Sequence, residues 1–241
     1  MLNISHYTKI YSGGKPAVDD LSLTVEAGEI VGFIGHNGAG KTTTLRAVAG
    51  ILDFEKGEIT IDGHSIKTQP VAAKSVMAFL PDNPDLYEFL TGIKYLNFIA
   101  DIYEIPQRER QERIKKYSDT FELTGALGSS IAGYSHGMKQ KLALISALIR
   151  EPKLLILDEP FVGLDPEAAF AVKGFLRDMC DKGSSVLFST HVLEVAEKLC
   201  DRIAIIKNGK LVEVGKTSDV VGNSNLEAVF LDLAREGQKN G

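Results

Sequence analysis

Tryptophan is absent, and only two cysteines, Cys180 and Cys200, occur in 241 residues. A disulfide scaffold needs a denser cysteine framework, so these two read as reduced thiols at packing positions in apolar, helical surroundings. Long hydrophobic runs are missing as well. Leu142–Ile149 is among the longest, far short of the roughly 20 apolar residues that span a bilayer. The chain is therefore not expected to conduct a solute by itself, and any membrane role needs another polypeptide. Met1–Lys9 lacks the charged, apolar and small-residue order of a signal peptide. Positive charge is not in excess: the net charge of −5 gives the whole chain no electrostatic footprint for nucleic acid, and no such partner is expected. Repeats and low-complexity stretches are also lacking. The remaining composition, 44% hydrophobic and 24% charged, is that of a folded globular chain long enough for one large α/β unit.

Strand signals open the chain at Leu2–Ile10 and at Ala17–Val25, where Leu21, Leu23 and Val25 alternate. Glu29–Gly35 reads as a buried strand ending in glycine, and Lys41–Ala49 as a helix stopped at Gly50. Glu58–Ile61 with Asp62-Gly63 reads as a strand and turn, and Val76–Leu80 as a strand cut off by Pro81 and Pro84. From Thr91 to Arg150 the pattern turns helical: Leu90, Ile93, Leu96 and Ile99 recur at helical spacing, and Pro106 opens a second helix running to Phe121. From Thr91 to Arg150 the chain reads as helical throughout, within an inserted helical subdomain of about residues 82–151. Strands at Leu154–Leu157, Ser185–Ser189 and Arg202–Ile206 then alternate with helices at Pro166–Cys180 and Val192–Leu199. That βαβ rhythm predicts a mostly parallel sheet with helices on its faces. Asn208-Gly209 supplies a hairpin turn, and residues 235–241 read as a frayed tail beyond a domain spanning 2–234.

Gly35-His36-Asn37-Gly38-Ala39-Gly40-Lys41-Thr42 matches G-x-x-x-x-G-K-[ST] between a predicted strand and a predicted helix. Glycines let the backbone curl so that N–H groups converge on phosphate oxygens, and the helix aims its positive dipole end at the same place. Lys41 is expected to reach the β- and γ-phosphates, the Thr42 hydroxyl to bind Mg²⁺, and Thr43 to meet the α-phosphate. Leu154–Leu157 then delivers Asp158-Glu159 at a strand's C-terminal end, where parallel sheets bind ligands. Adjacent strand residues point in opposite directions, so the two carboxylates can hold different roles: Asp158 in the Mg²⁺ shell, Glu159 as general base toward a water. These two motifs leave GTPase, kinase, RecA-like ATPase and ATP-binding cassette open.

The segment between them narrows the choice. Tyr134-Ser135-His136-Gly137-Met138-Lys139-Gln140 precedes an apolar-periodic helix shortly upstream of Asp158. Alone it is an ordinary helix N-cap. In this company it resembles the Leu-Ser-Gly-Gly-Gln signature of ABC (ATP-binding cassette) ATPases, keeping Ser135 and Gly137 and departing at Tyr134, His136 and Met138. By the same resemblance Tyr11 matches the aromatic residue that stacks on adenine, Gly163-Leu164-Asp165 the D-loop, and His191 the switch histidine at the γ-phosphate. Asp82, in Pro81-Asp82-Asn83-Pro84, stands where the family has a glutamine. A carboxylate still ligates Mg²⁺ but, ionised, donates no hydrogen bond.

The resemblance covers nearly the whole chain and implies an α/β P-loop NTPase fold, with a mostly parallel central sheet, an N-terminal antiparallel β subdomain and an inserted helical subdomain. It implies ATP and Mg²⁺ as cofactors, and catalytic roles for Lys41, Glu159 and His191. It further implies a second cassette (a copy or a paralogue) whose Ser135 and Gly137 complete each ATP site, and transmembrane subunits that place the chain at the cytoplasmic face of the membrane. No arginine-finger motif is present to serve the far side of the γ-phosphate. A soluble ABC ATPase of translation, DNA repair or Fe–S assembly is the rival. Translation-type members usually carry two cassettes and repair-type members long coiled coils, and this chain has neither. The absence of an appended substrate domain and the Ser-x-Gly-Met variant lean toward an exporter.

Overall fold

Apolar residues build two sheets, alternating in the first and continuous along the central strands of the second. In a computed structural model that describes residues 1–239, β1 (Leu2–Ile10) pairs antiparallel with β2 (Pro16–Val25), and Leu2, Ile4, Leu21, Leu23 and Val25 are buried. β3 (Ile30–Ile34) is apolar apart from Gly32 and buried at every position, the pattern of a strand covered on both faces. It runs into the phosphate loop and α1 (Lys41–Val48). β4 (Lys56–Ile61) and the short β5 (His64–Ser65) complete an antiparallel sheet of order β2-β1-β4-β5. The brief α2 (Pro70–Ser75) precedes β6 (Met77–Leu80).

Between β6 and the next strand lie α3 (Gly92–Ile102), α4 (Gln107–Thr120) and α5 (His136–Leu148). The expectation of helix throughout this stretch is corrected over residues 121–135. There the chain makes only two 3-10 turns, Thr124–Ala126 and Ile131–Gly133, and Thr91 bridges Ser130 in antiparallel fashion. Gly125, Gly128 and Gly133 in that segment disfavour a continuous helix, each by about 1 kcal/mol relative to alanine.

The second half alternates β7 (Leu154–Asp158), α6 (Pro166–Asp181), β8 (Ser185–Thr190), α7 (Leu193–Leu199) and β9 (Arg202–Lys207). β10 (Lys210–Lys216) returns antiparallel to β9, and α8 (Thr217–Val221) and α9 (Leu226–Lys239) follow. The second sheet has order β10-β9-β3-β8-β7-β6, parallel except at β10. The tail expected to fray from residue 235 is helical through Lys239; Asn240 and Gly241 lie outside the described residues. No helix among the described residues is long and apolar enough to cross a membrane.

This parallel sheet divides two cores. Val31, Phe33, Leu154, Ile156 and Leu187 face the antiparallel sheet and α1. Ile30, Ile34, Leu155, Leu157, Val186 and Phe188 face the opposite way, joining residues of α3–α6 such as Leu96, Tyr117, Ile145 and Val172. Side chains alternate along a strand. Asp158 therefore shares the face of Leu154 and Ile156, the α1 side, and Ser189 shares the face of Leu187.

Candidate active site

Backbone geometry makes the phosphate loop before any side chain does. Gly38 and Gly40 take φ of +81° and +113°, conformations that favour glycine. A Cβ on Gly40 would stand 2.9 Å from the Ala17 carbonyl oxygen, and one on Gly35 2.6 Å from that of Ile206. The loop thus packs against its support with no room for side chains, and α1 starts directly behind it. Ala39 is buried beneath the loop, and its N–H donates to the His36 carbonyl at 3.1 Å. Lys41 is 6% exposed; its Nζ donates to Gly35 O at 2.6 Å and lies 3.5 Å from Glu159 Oε1. An ammonium held among loop carbonyls is placed to serve phosphate oxygens over the same loop.

An open cavity of about 400 Å³ is lined by Asn37, Gly38, Gly40, Lys41, Thr42 and Thr43, together with Asp82, Asp158 and Glu159 and with Ala17 and His36. The structure so brings together most of the predicted phosphate and metal residues. Thr42, Asp82 and Asp158 contribute hard oxygen donors, a set that suits Mg²⁺. Among the described residues no three His, Cys, Asp or Glu side chains form a cage of their own. Mg²⁺ commonly keeps waters and substrate phosphates among its ligands, so a site for it need not be an all-protein cage. A larger cavity, about 630 Å³, opens between α4 and α6 beside Tyr117, Phe175 and Lys182, and no motif residue lines it.

Asp158 ends β7 and is 3% exposed. Glu159 departs from the simple alternation expected of adjacent strand residues. The strand stops before it, and its φ is +49°, a left-handed conformation uncommon for glutamate. Its carboxylate meets Lys41 through Oε1 and His191 through Oε2, 3.0 Å from Nδ1 and 3.3 Å from the backbone N–H that donates to it. His191 reaches the site through Glu159 and is half exposed. Tyr11 lies at the rim, its hydroxyl 3.4 Å from Thr43 Oγ1 and its ring 5.5 Å from Lys9 Nζ.

Ser135 and Gly137 stand apart. Neither lines the cavity of its own chain, and Ser135 is exposed at the N-terminus of α5, its hydroxyl accepting the Met138 N–H at 3.3 Å. The D-loop abuts this corner: Gly163 has φ of +80°, and a Cβ there would fall 2.5 Å from His136 Cδ2. Asp165 caps α6 by accepting the Ala168 N–H at 2.7 Å, a bond that holds its carboxyl below the usual range.

Sequence reasoning missed Ser189, fully buried, whose hydroxyl touches both members of the Asp158-Glu159 pair. Its only signal was a hydroxyl placed after the apolar run Val186–Phe188. Missed too was Glu55, which accepts from Lys9 Nζ and from the Ile10 N–H, each at 2.9 Å, and so fixes the strand end before Tyr11. Those bonds hold its carboxyl low as well.

A family model described as ABC transporter matches residues 18–162. The ABC-type transporter ATP-binding protein EcsA of Bacillus subtilis (strain 168) is 35% identical over 241 residues, covering 98% of this chain and 97% of that protein. A solved ATP-binding subunit of an ABC transporter superposes with a TM-score of 0.93 at 33% identity, covering 97% and 99% of the two chains. CbiO1 of Clostridium perfringens, part of the ABC transporter complex cbiONQ, superposes with a TM-score of 0.81 at 25% identity over 98% and 97%.

Proposed function

This chain belongs to the ABC transporter family as an ATP-binding, ATP-hydrolysing subunit, and from that premise we propose that it drives transport through separate transmembrane subunits by clamping ATP head to tail with a second cassette. The observation that carries this reading is the separation of the two half-sites. Ser135 is exposed and Gly137 half-buried at the start of α5, outside the phosphate-loop cavity of their own chain. A hydroxyl and a helix N-terminus exposed in this way form an anion-binding edge for a neighbour's triphosphate.

In this reading Gly35–Thr43 cradle the phosphates, and Lys41 exchanges its bond to Gly35 O for phosphate oxygens. Tyr11 stacks on the adenine, Thr42, Asp158 and Asp82 hold Mg²⁺, and Glu159 takes a proton from the attacking water. His191, bonded to Glu159, orients that carboxylate and meets the γ-phosphate. The metal supplies charge neutralisation at the phosphates. Asp82, in place of a glutamine, adds negative charge to the metal shell and removes a donor from it. Closure completes the electrostatic environment only when both halves meet.

An exposed aromatic surface of this chain is where the membrane partner would dock. Tyr87 and Phe89, shortly after Pro84, and Phe98 of α3 form an exposed aromatic cluster, with the Phe89 and Phe98 ring centroids 5.9 and 5.5 Å from that of Tyr87. Phe89 is 82% exposed, a large apolar group that a partner's helix would cover. In this reading the chain works at the cytoplasmic face of a membrane, and the exposed aromatic cluster supports a docked partner. The Ser-x-Gly-Met variant supports the lean toward export.

The clamp is tested by size-exclusion chromatography of Glu159→Gln with ATP and Mg²⁺. A dimer is expected, and adding Ser135→Arg should return it to monomer while ATP binding persists. A dimer indifferent to Ser135→Arg would refute the head-to-tail arrangement.

A further inference from the structure

The interior of β8 is apolar at Val186, Leu187 and Phe188, and then Ser189 follows, fully buried. A buried hydroxyl is unfavourable unless hydrogen-bonded, so its partners explain its presence. Ser189 and Asp158 are register partners in adjacent parallel strands, and their side chains share the α1 face of the sheet. Ser189 Oγ lies 2.5 Å from Asp158 Oδ1 and 3.0 Å from the backbone nitrogen of Glu159. The donor inventory fixes the direction of both bonds. An ionised carboxylate only accepts, so the single hydroxyl proton goes to Asp158, and the oxygen lone pairs receive the Glu159 N–H. The result is a directed chain: Glu159 N–H to Ser189 O–H to Asp158 carboxylate.

Glu159 needs such a hold. Its φ of +49° is unfavourable for a side-chain-bearing residue, and such strain persists only where surrounding bonds fix it. Two bonds from the same nitrogen do so: one to Ser189 Oγ, and one to the Ser189 carbonyl oxygen at 3.2 Å. Ser189 does not line the nucleotide cavity, so whatever it does it does through its neighbours.

We propose that Ser189 is a positioning residue, whose buried hydroxyl fixes the carboxylate of Asp158 relative to the backbone turn that aims Glu159. This rests on the roles assigned to Asp158 and Glu159 above. Partners that orient metal-ligating carboxylates typically govern affinity or activity by about 10- to 100-fold.

The test uses the full chain in the Glu159→Gln background, so that no turnover intervenes. Mn²⁺ is titrated into the ATP complex and followed by electron paramagnetic resonance. Ser189→Ala should weaken Mn²⁺ by about 10-fold, Ser189→Thr should recover most of that, and metal-free ATP affinity should stay within twofold. In the otherwise native chain, Ser189→Ala should lower kcat by a similar factor with little change in KM. Asp158→Asn serves as the control. If Asp158→Asn weakens Mn²⁺ and Ser189→Ala does not, the inference fails while the metal assignment stands. If Asp158→Asn leaves Mn²⁺ unchanged, the metal assignment fails and takes the inference with it. A Ser189→Ala chain that melts earlier but binds Mn²⁺ normally marks Ser189 as structural only, and overturns the proposal.

Discussion

Replacing Glu159 by glutamine separates binding from chemistry, and the geometry gives a sign for each. Glu159 Oε1 stands 3.5 Å from Lys41 Nζ, and both side chains are largely buried, at 13% and 6% exposure. At an effective dielectric of about 20, unit charges at that distance attract by about 5 kcal/mol before solvation is considered. Desolvation of the two ions and water at the cavity mouth offset most of this, leaving a net pairing of about 1 kcal/mol. That pairing competes directly with the triphosphate for Lys41, and the carboxylate also repels the incoming anion. Glutamine keeps the shape and removes the charge. Metal-free ATP should then bind about fivefold more tightly. Turnover should fall by about 10²- to 10⁴-fold, because the proton acceptor toward water is lost. Titration with a fluorescent ATP analogue measures the first and phosphate release the second. Weaker ATP binding by the variant would refute the competition argument, and turnover within a few-fold of the native chain would refute the base assignment.

Phe89→Asp should detach the chain from membranes containing its partner while leaving ATP hydrolysis by the purified protein unchanged; sedimentation with membrane vesicles reads this. Burial pushes the Cys180 thiol up to about 12, and the Cys200 thiol upward as well. Neither should be alkylated by iodoacetamide at pH 8 in the native state, and both should be in denaturant, as mass spectrometry would show. Above the unfolded-state thiol value of about 8.5, the unfolded chain loses protons that the folded chain keeps, so stability should fall with rising pH there.

Much of this architecture was legible because period-two and period-3.6 patterns, glycines and caps each speak locally. β3 and β7 read as buried strands from continuous apolar runs, and α6 begins at Pro166 behind the capping Asp165. Ser135 read as an N-cap and is one. What stayed hidden lacked a local signal. The Asn208-Gly209 hairpin turn was legible, but the extent of β10 was not, because it is a largely exposed edge strand with lysines at both ends and no buried face marks it. α2 has only six residues and one buried side chain, too few to show a period. α9 lies in the stretch between Asn208-Gly209 and the chain end where no helix was expected, yet Leu226 is fully buried and Val229, Phe230 and Leu233 pack on the core. The same holds at the active site. Lys41, Thr42 and Asp158 belong to motifs whose spacing is contiguous in sequence. The left-handed turn at Glu159 and the bonds of Ser189 arise from pairing between strands about thirty residues apart, and pairing between distant strands leaves no periodic trace.

Strand β7 has consequences for how such a chain diversifies. Leu154, Ile156 and Asp158 belong to the nucleotide side, and Leu155 and Leu157 to the helical layer that carries Ser135 and the aromatic docking cluster. Substitutions at alternate positions of one five-residue segment therefore report to different neighbours. If the helical layer docks a membrane partner as proposed, changes packed on Leu155 and Leu157 would reshape that side while Leu154, Ile156 and Asp158 keep their contacts on the other. One thin wall lets the engine stay constant as its coupling is refitted.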